Sequence, residues 1–162
     1  MRGGAAAIIV AMLGFASATQ PPKSIVFEAT PTKNGTVALG AQCLDGSPFG
    51  MYVAKGDPDR FVVYLEGGGI CQAKADCVKR LSSGQGSSKF WPKTQAGIAS
   101  KFEDTIISGD AAQNARFASW TRVFLTYCSG DVWAGQRVLA DAKASWGLSF
   151  AGHRNLQVRR IT

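Results

Sequence analysis

The chain has 162 residues, 46% of them hydrophobic, and 18 Lys and Arg against 11 Asp and Glu give it a formal charge of +7. That length suits one domain, and that hydrophobic share supports a packed core and excludes wholesale disorder. The basic residues are dispersed except for Arg154, Arg159 and Arg160, with no nucleic-acid motif beside them. The charge therefore reads as a solvated surface, and no nucleic-acid partner is expected.

The first residues carry the pattern of a secretory signal: Arg2, an apolar stretch over residues 5–15, and Ala16-Ser17-Ala18 as a small-residue cleavage site. Residues 1–18 are expected to be a signal peptide and residues 19–162 the mature part. The apolar stretch is shorter than the roughly 20 residues a bilayer span needs, and no other segment comes closer, so no transmembrane segment is expected. Asn34-Gly35-Thr36 is a glycosylation sequon that places Asn34 on a surface loop if used. Four cysteines, Cys43, Cys71, Cys77 and Cys128, suggest two bridges in an oxidising compartment, with three connectivities open. Zinc is disfavoured, because no C-x-x-C pair exists and His153 is the only histidine. No metal and no cofactor are expected.

In chain order, residues 36–39 read as a short strand and Cys43-Leu-Asp-Gly-Ser-Pro48 as a turn. Residues 50–54 read as a strand. Gly56-Asp-Pro-Asp59 reads as the turn of a hairpin with the next run. Residues 61–65, continuously apolar, β-branched and aromatic, predict a central strand covered on both faces. Residues 72–81 suit a short helix, and Ser82-Ser-Gly-Gln-Gly-Ser-Ser88 a flexible loop. Residues 122–127 form a second buried strand, and residues 149–158 begin a helix. There is no internal repeat. Strands separated by helical or long loop segments indicate an α/β sheet.

The best core strand runs into Glu66 and then Gly67, Gly68 and Gly69. Ligands of open α/β sheets bind beyond the carboxyl ends of strands, and glycines bring backbone N–H groups close to them. Two converging N–H groups would stabilise an oxyanion in acyl transfer. A tight turn that only avoids a clash explains the glycines equally well. A phosphate loop is disfavoured, since no G-K-[ST] follows. Glu66 reads as a carboxylate bonding nearby backbone N–H groups, and Asp131, beside Ser129 and Gly130, as a turn organiser.

Cys43-Leu-Asp-Gly-Ser-Pro followed by Gly50-x-Tyr52, then Leu65-Glu-Gly-Gly-x-x-Cys71, Trp91-Pro92 and Tyr127-Cys128-Ser-x-Asp131-Val-Trp133 occur in that order. Together they resemble the pectin acetylesterase/Notum family over roughly residues 40–152. The resemblance implies a secreted serine carboxylesterase with an α/β-hydrolase-like sheet. Its substrate would be an acetylated cell-wall polysaccharide or an acylated protein. It implies an oxyanion hole from the Gly68 and Gly69 backbone, and bridges Cys43–Cys128 and Cys71–Cys77. It also gives Trp91 and Trp133 as acyl-pocket walls, although plain core packing accounts for both.

The family carries its nucleophile in G-x-S-A-G-G, one helix and one strand beyond the Tyr-Cys strand, with Asp and His later. The chain ends at Thr162, so it is expected to be the N-terminal part of the domain, cut before the nucleophile strand, lacking the triad and inactive alone. Gly147-Leu-Ser149-Phe-Ala151 is the nearest formal match. The Ala-rich segment before it is no elbow strand, which disfavours Ser149 as nucleophile and His153 as its base. The competing expectation is a secreted, disulfide-bonded binding protein without chemistry.

Overall fold

The computed structural model describes residues 25–29, 32–33, 36–37, 40–103, 105–138 and 145–157, with side chains from residue 40 onward. The signal segment 1–18, Asn34, Arg159 and Arg160 lie outside the described residues. The described residues form six strands and three α-helices: β1 Ile25–Ala29, β2 Thr32–Lys33, β3 Thr36–Val37, β4 Gly50–Ala54, β5 Asp57–Leu65, α1 Lys74–Arg80, α2 Gln95–Ile98, β6 Trp120–Leu125 and α3 Gly152–Leu156. β2 and β3 pair with each other. The main sheet runs β1-β4-β6-β5, antiparallel except for the parallel pair β5–β6. The mixed α/β class read from the sequence holds.

The expected hairpin between residues 50–54 and 61–65 does not form, because β6 lies between β4 and β5. The Asp-Pro-Asp turn chemistry is absorbed inside β5 as a bulge. Asp57 aligns with Trp120, and Phe61 already with Thr121. The Asp57 carboxylate accepts from the Asp59 amide at 3.0 Å and from Arg60 Nε at 2.6 Å, which holds the extra residues in place. Gly56 passes so close to the Trp120 backbone that a Cβ would overlap it.

The central strands are β4 and β6. Val53 and Val123 are fully buried on one face with Phe49, Met51 and Leu125, while Tyr52, Phe124 and Ile107 fill the other. Phe49 is gripped between two indoles, 6.1 Å edge-on from each of Trp91 and Trp133. β5 is an edge strand among the described residues, which corrects the expectation that it is covered on both faces. Val62 and Tyr64 pack on the second core face, but Phe61, Val63 and Leu65 are 39%, 45% and 43% exposed. Val123 and Leu125 lie in a strand with partners on both sides, so the open apolar edge of the sheet is at β5 and not at β6.

Cys43–Cys128 and Cys71–Cys77 are both bonded, the pairing that the resemblance implied. The first closes a loop of 85 residues. By the chain-entropy argument such a bridge contributes about 4–5 kcal/mol, and the short one about 2.

The loop over residues 82–88 is not loose. Ser87 and Ser88 are buried. Ser87 Oγ donates to Asp45 Oδ2 at 2.7 Å, and the Ser88 amide donates to Ser47 Oγ at 3.0 Å. Asp45 thus ties its own turn to this loop, also accepting from the Ser47 amide at 2.9 Å and pairing with Lys89 at 3.1 Å. Burial alone would raise the Asp45 pKa, but the hydrogen bonds from Ser47 and Ser87 and the contact with Lys89 outweigh it and hold the carboxyl below its usual range.

A carboxyl whose folded-state pKa is depressed stabilises the fold above its unfolded value of about 4, and that contribution is lost as pH falls through the folded value. Urea midpoints measured from pH 6 to pH 3 should therefore decline less steeply in Asp45→Asn than in the wild type. On the exposed face of β5, Val63→Lys should reduce light scattering on heating and leave stability within about 0.5 kcal/mol, as surface changes usually do.

Candidate functional site

The site forms where β5 and β6 end side by side. The Glu66 amide continues the ladder to Leu125 O at 3.0 Å. Its carboxylate then caps the other strand, with Oε2 accepting from the Tyr127 amide at 3.0 Å and Oε1 from Lys101 Nζ at 2.8 Å. Its carbonyl accepts from Trp133 Nε1 at 3.2 Å. Glu66 thus does what the sequence suggested: it bonds backbone and fixes the start of the glycine loop.

Gly68 lies against the ring of Tyr127, where any Cβ would overlap, and Gly69 has φ +66°. Gly68 requires glycine for this close approach, while at Gly69 glycine spares the left-handed backbone the strain that a side chain would bring. The Gly68 carbonyl accepts from Arg80 Nη1 at 2.7 Å, and the Gly69 carbonyl from the Tyr127 hydroxyl at 2.7 Å. Among the described residues, no hydrogen bond uses the N–H of Gly68 or Gly69. The Tyr127 hydroxyl also accepts from the Val132 amide at 2.6 Å, joining the glycine loop to the turn after β6. Burial pushes the Tyr127 pKa up, so the group stays a protonated donor at neutral pH.

That turn is strained. Val132 and Trp133 have φ of 50° and 66°, the left-handed region, which costs non-glycine residues on the order of 1–3 kcal/mol each. The buried Asp131 carboxylate holds it. Oδ1 accepts from Ser129 Oγ at 2.5 Å and the Trp133 amide at 3.1 Å, and Oδ2 accepts from the amides of Gly135 at 3.1 Å and Gly152 at 2.8 Å. Asp131 is the turn organiser that the sequence indicated, with a reach extending to α3. Cys71, bonded to Cys77, donates its amide to Gly130 O at 3.0 Å and closes the far side of the loop.

Trp133 is half-buried and packs on the first core face beside Phe49 and Tyr127. Trp91 is buried on the other side of Phe49 and donates Nε1 to Gly84 O at 2.8 Å. Ser149 is fully buried away from any histidine partner. Its Oγ accepts from Gln42 Nε2 at 2.7 Å and donates to Arg137 O at 3.2 Å. His153 sits on α3 with Gln157 at 3.2 Å. No three His, Cys, Asp or Glu side chains gather as a metal site among the described residues. An open hollow lined by Thr105, Ile106, Gln113 and Asn114 includes none of these groups.

Two residues at the loop carried no signal of this role in the sequence. Arg80 stands in the last turn of α1, a place where the helix dipole alone favours a base, so its type there signals nothing further. Tyr127 belonged to a recognisable motif, but nothing local showed that its hydroxyl bridges two loops.

Asp131→Asn replaces an acceptor-only group with one that presents N–H donors to backbone amides. Leaving a buried donor unsatisfied costs about 1–3 kcal/mol. Urea denaturation should show a loss in that range, accompanied by a change in tryptophan fluorescence as the turn at Trp133 relaxes.

Residues 25–159 match the pectinacetylesterase family. Over 118 residues the chain is 34% identical to the inactive palmitoleoyl-protein carboxylesterase notum1b of Danio rerio, covering 71% of this chain and 78% of that protein. It is 37% identical over 108 residues to pectin acetylesterase 11 of Arabidopsis thaliana, covering 65% and 26%. It is 35% identical over 102 residues to the palmitoleoyl-protein carboxylesterase NOTUM of Mus musculus, covering 61% and 19%. The matched region therefore spans about a quarter of the plant relative and a fifth of the mouse one. With most of its length inside the family match, the chain belongs to the pectinacetylesterase family.

Proposed function

We propose that the chain is the oxyanion-bearing, N-terminal portion of a secreted serine carboxylesterase that cleaves acetyl or longer acyl esters. The observation that carries this reading is the glycine loop. Gly68 and Gly69 leave β5 toward α1 with their carbonyls engaged and with no partner for their N–H groups among the described residues. A strand, a glycine loop and a helix are the setting in which α/β-hydrolases present one oxyanion donor, and the sheet is read as the first part of such a fold. Membership of a family whose relatives include pectin acetylesterases and palmitoleoyl-protein carboxylesterases supports ester chemistry on an acetylated polysaccharide or an acylated protein.

In this reading Trp133 borders the acyl group, and Trp91 backs it through Phe49. Two disulfides favour an oxidising compartment, in keeping with a signal peptide over residues 1–18, an esterase part over residues 19–162 and glycosylation at Asn34. No described helix is long and apolar enough to cross a membrane.

The Ser149 hydroxyl is committed to Gln42 and Arg137, which supports the reading that it is not the nucleophile. Oxyanion donors without a nucleophile leave only a small residual catalysis over water. The purified 162-residue chain is expected to give no burst and no turnover with an activated acetyl ester. Turnover that disappeared in Ser149→Ala would overturn this reading and make Ser149 the nucleophile.

A further inference from the structure

We infer that Arg80 is a positioning residue for the glycine loop: its guanidinium grips the Gly68 carbonyl and so aims the Gly69 N–H at the oxyanion. This rests on the carboxylesterase reading above.

A trans peptide is planar, with its C=O and N–H pointing in opposite directions. The Gly68 carbonyl and the Gly69 N–H belong to one such plane. Arg80 Nη1 lies 2.7 Å from that carbonyl, so the N–H is turned away from α1. The Tyr127 hydroxyl, 2.7 Å from the Gly69 carbonyl, orients the next plane in the same manner. A peptide between two glycines has no Cβ on either side to resist rotation, so an ungripped plane would flip at little steric cost. The grip supplies the fixed direction that an oxyanion donor needs before the charge develops.

Arg80 is suited to the task. It is half-buried, and none of the ion pairs among the described residues involves it, so the charge-assisted bond to Gly68 is its principal polar contact. Its own backbone is held, because its carbonyl accepts both the Ser83 amide and the Ser83 hydroxyl at 3.0 Å. One turn earlier, Cys77 is bonded to Cys71, just past the glycines. The gripping side chain and the gripped loop are thus tied to one short frame.

The test uses the isotope-labelled 162-residue chain titrated with acetate, whose carboxylate stands in for the oxyanion, and read by NMR. In the wild type, acetate should shift the Gly69 amide saturably. In Arg80→Ala the Gly68 carbonyl carbon should move, and acetate should bind at Gly69 at least fivefold more weakly, while Val123 and Leu125 report an intact sheet. In Arg80→Lys, affinity should follow the Gly68 carbonyl shift rather than the retained charge. A folded Arg80→Ala that titrates like the wild type would refute the role of Arg80 and leave the oxyanion reading standing. No response at Gly69 in the wild type would remove the oxyanion reading itself, and the role of Arg80 with it.

Discussion

The parallel pairing of β5 with β6 is the constraint from which the site follows. Parallel neighbours end at the same edge of a sheet, so the segments after Leu65 and after Leu125 must emerge together. One segment supplies three glycines, the other Tyr127, Asp131 and Trp133. Had β5 turned back along β4 as a hairpin, its glycines would have emerged beside β4 instead, without the residues that now hold them.

Three devices convert that adjacency into fixed geometry, and each spends a polar group on backbone. Glu66 caps Tyr127, the Tyr127 hydroxyl bridges Gly69 and Val132, and Asp131 gathers one hydroxyl and three amides. The strain at Val132 and Trp133 persists because these bonds over-determine the turn. Underneath, Phe49 between Trp91 and Trp133 couples the turn to the first core face, so the indole at the loop is seated on the packed interior.

Much of this was legible in the sequence where one residue type answers one local demand. β4 and β6 were visible as apolar runs, α1 as a short helical segment, and Asp131 and Glu66 as carboxylates beside glycine-rich turns. The cysteine pairing was legible only through the family resemblance. The strand order was not legible. Gly56-Asp-Pro-Asp59 has the composition of a hairpin turn, and only the long-range competition of β6 for β4 decides that it becomes a bulge. The exposure of Phe61, Val63 and Leu65 was hidden for a related reason: an apolar run does not reveal whether the layer above it extends that far. Arg80 was illegible because its partner is a carbonyl, and every residue has one.

The insertion of β6 between β4 and β5 also sets the order of events when the chain is made. β4 and β5 leave the ribosome more than fifty residues ahead of β6, and locally they carry the pattern of a hairpin. Hairpins close in about 1–10 μs, whereas translation adds about 5–20 residues per second. The nascent chain therefore has seconds in which the near partner is available and the native one does not yet exist. If β4 and β5 pair in that interval, reaching the native sheet requires the pairing to open and admit a strand from far along the chain, a non-local step of the kind that slows folding. Cys43 waits through the same interval for Cys128, with Cys71 and Cys77 emerging first as competing thiols. Should Cys43 bond to Cys71 or Cys77 in that interval, only continued thiol exchange would let it reach Cys128 once β6 has arrived.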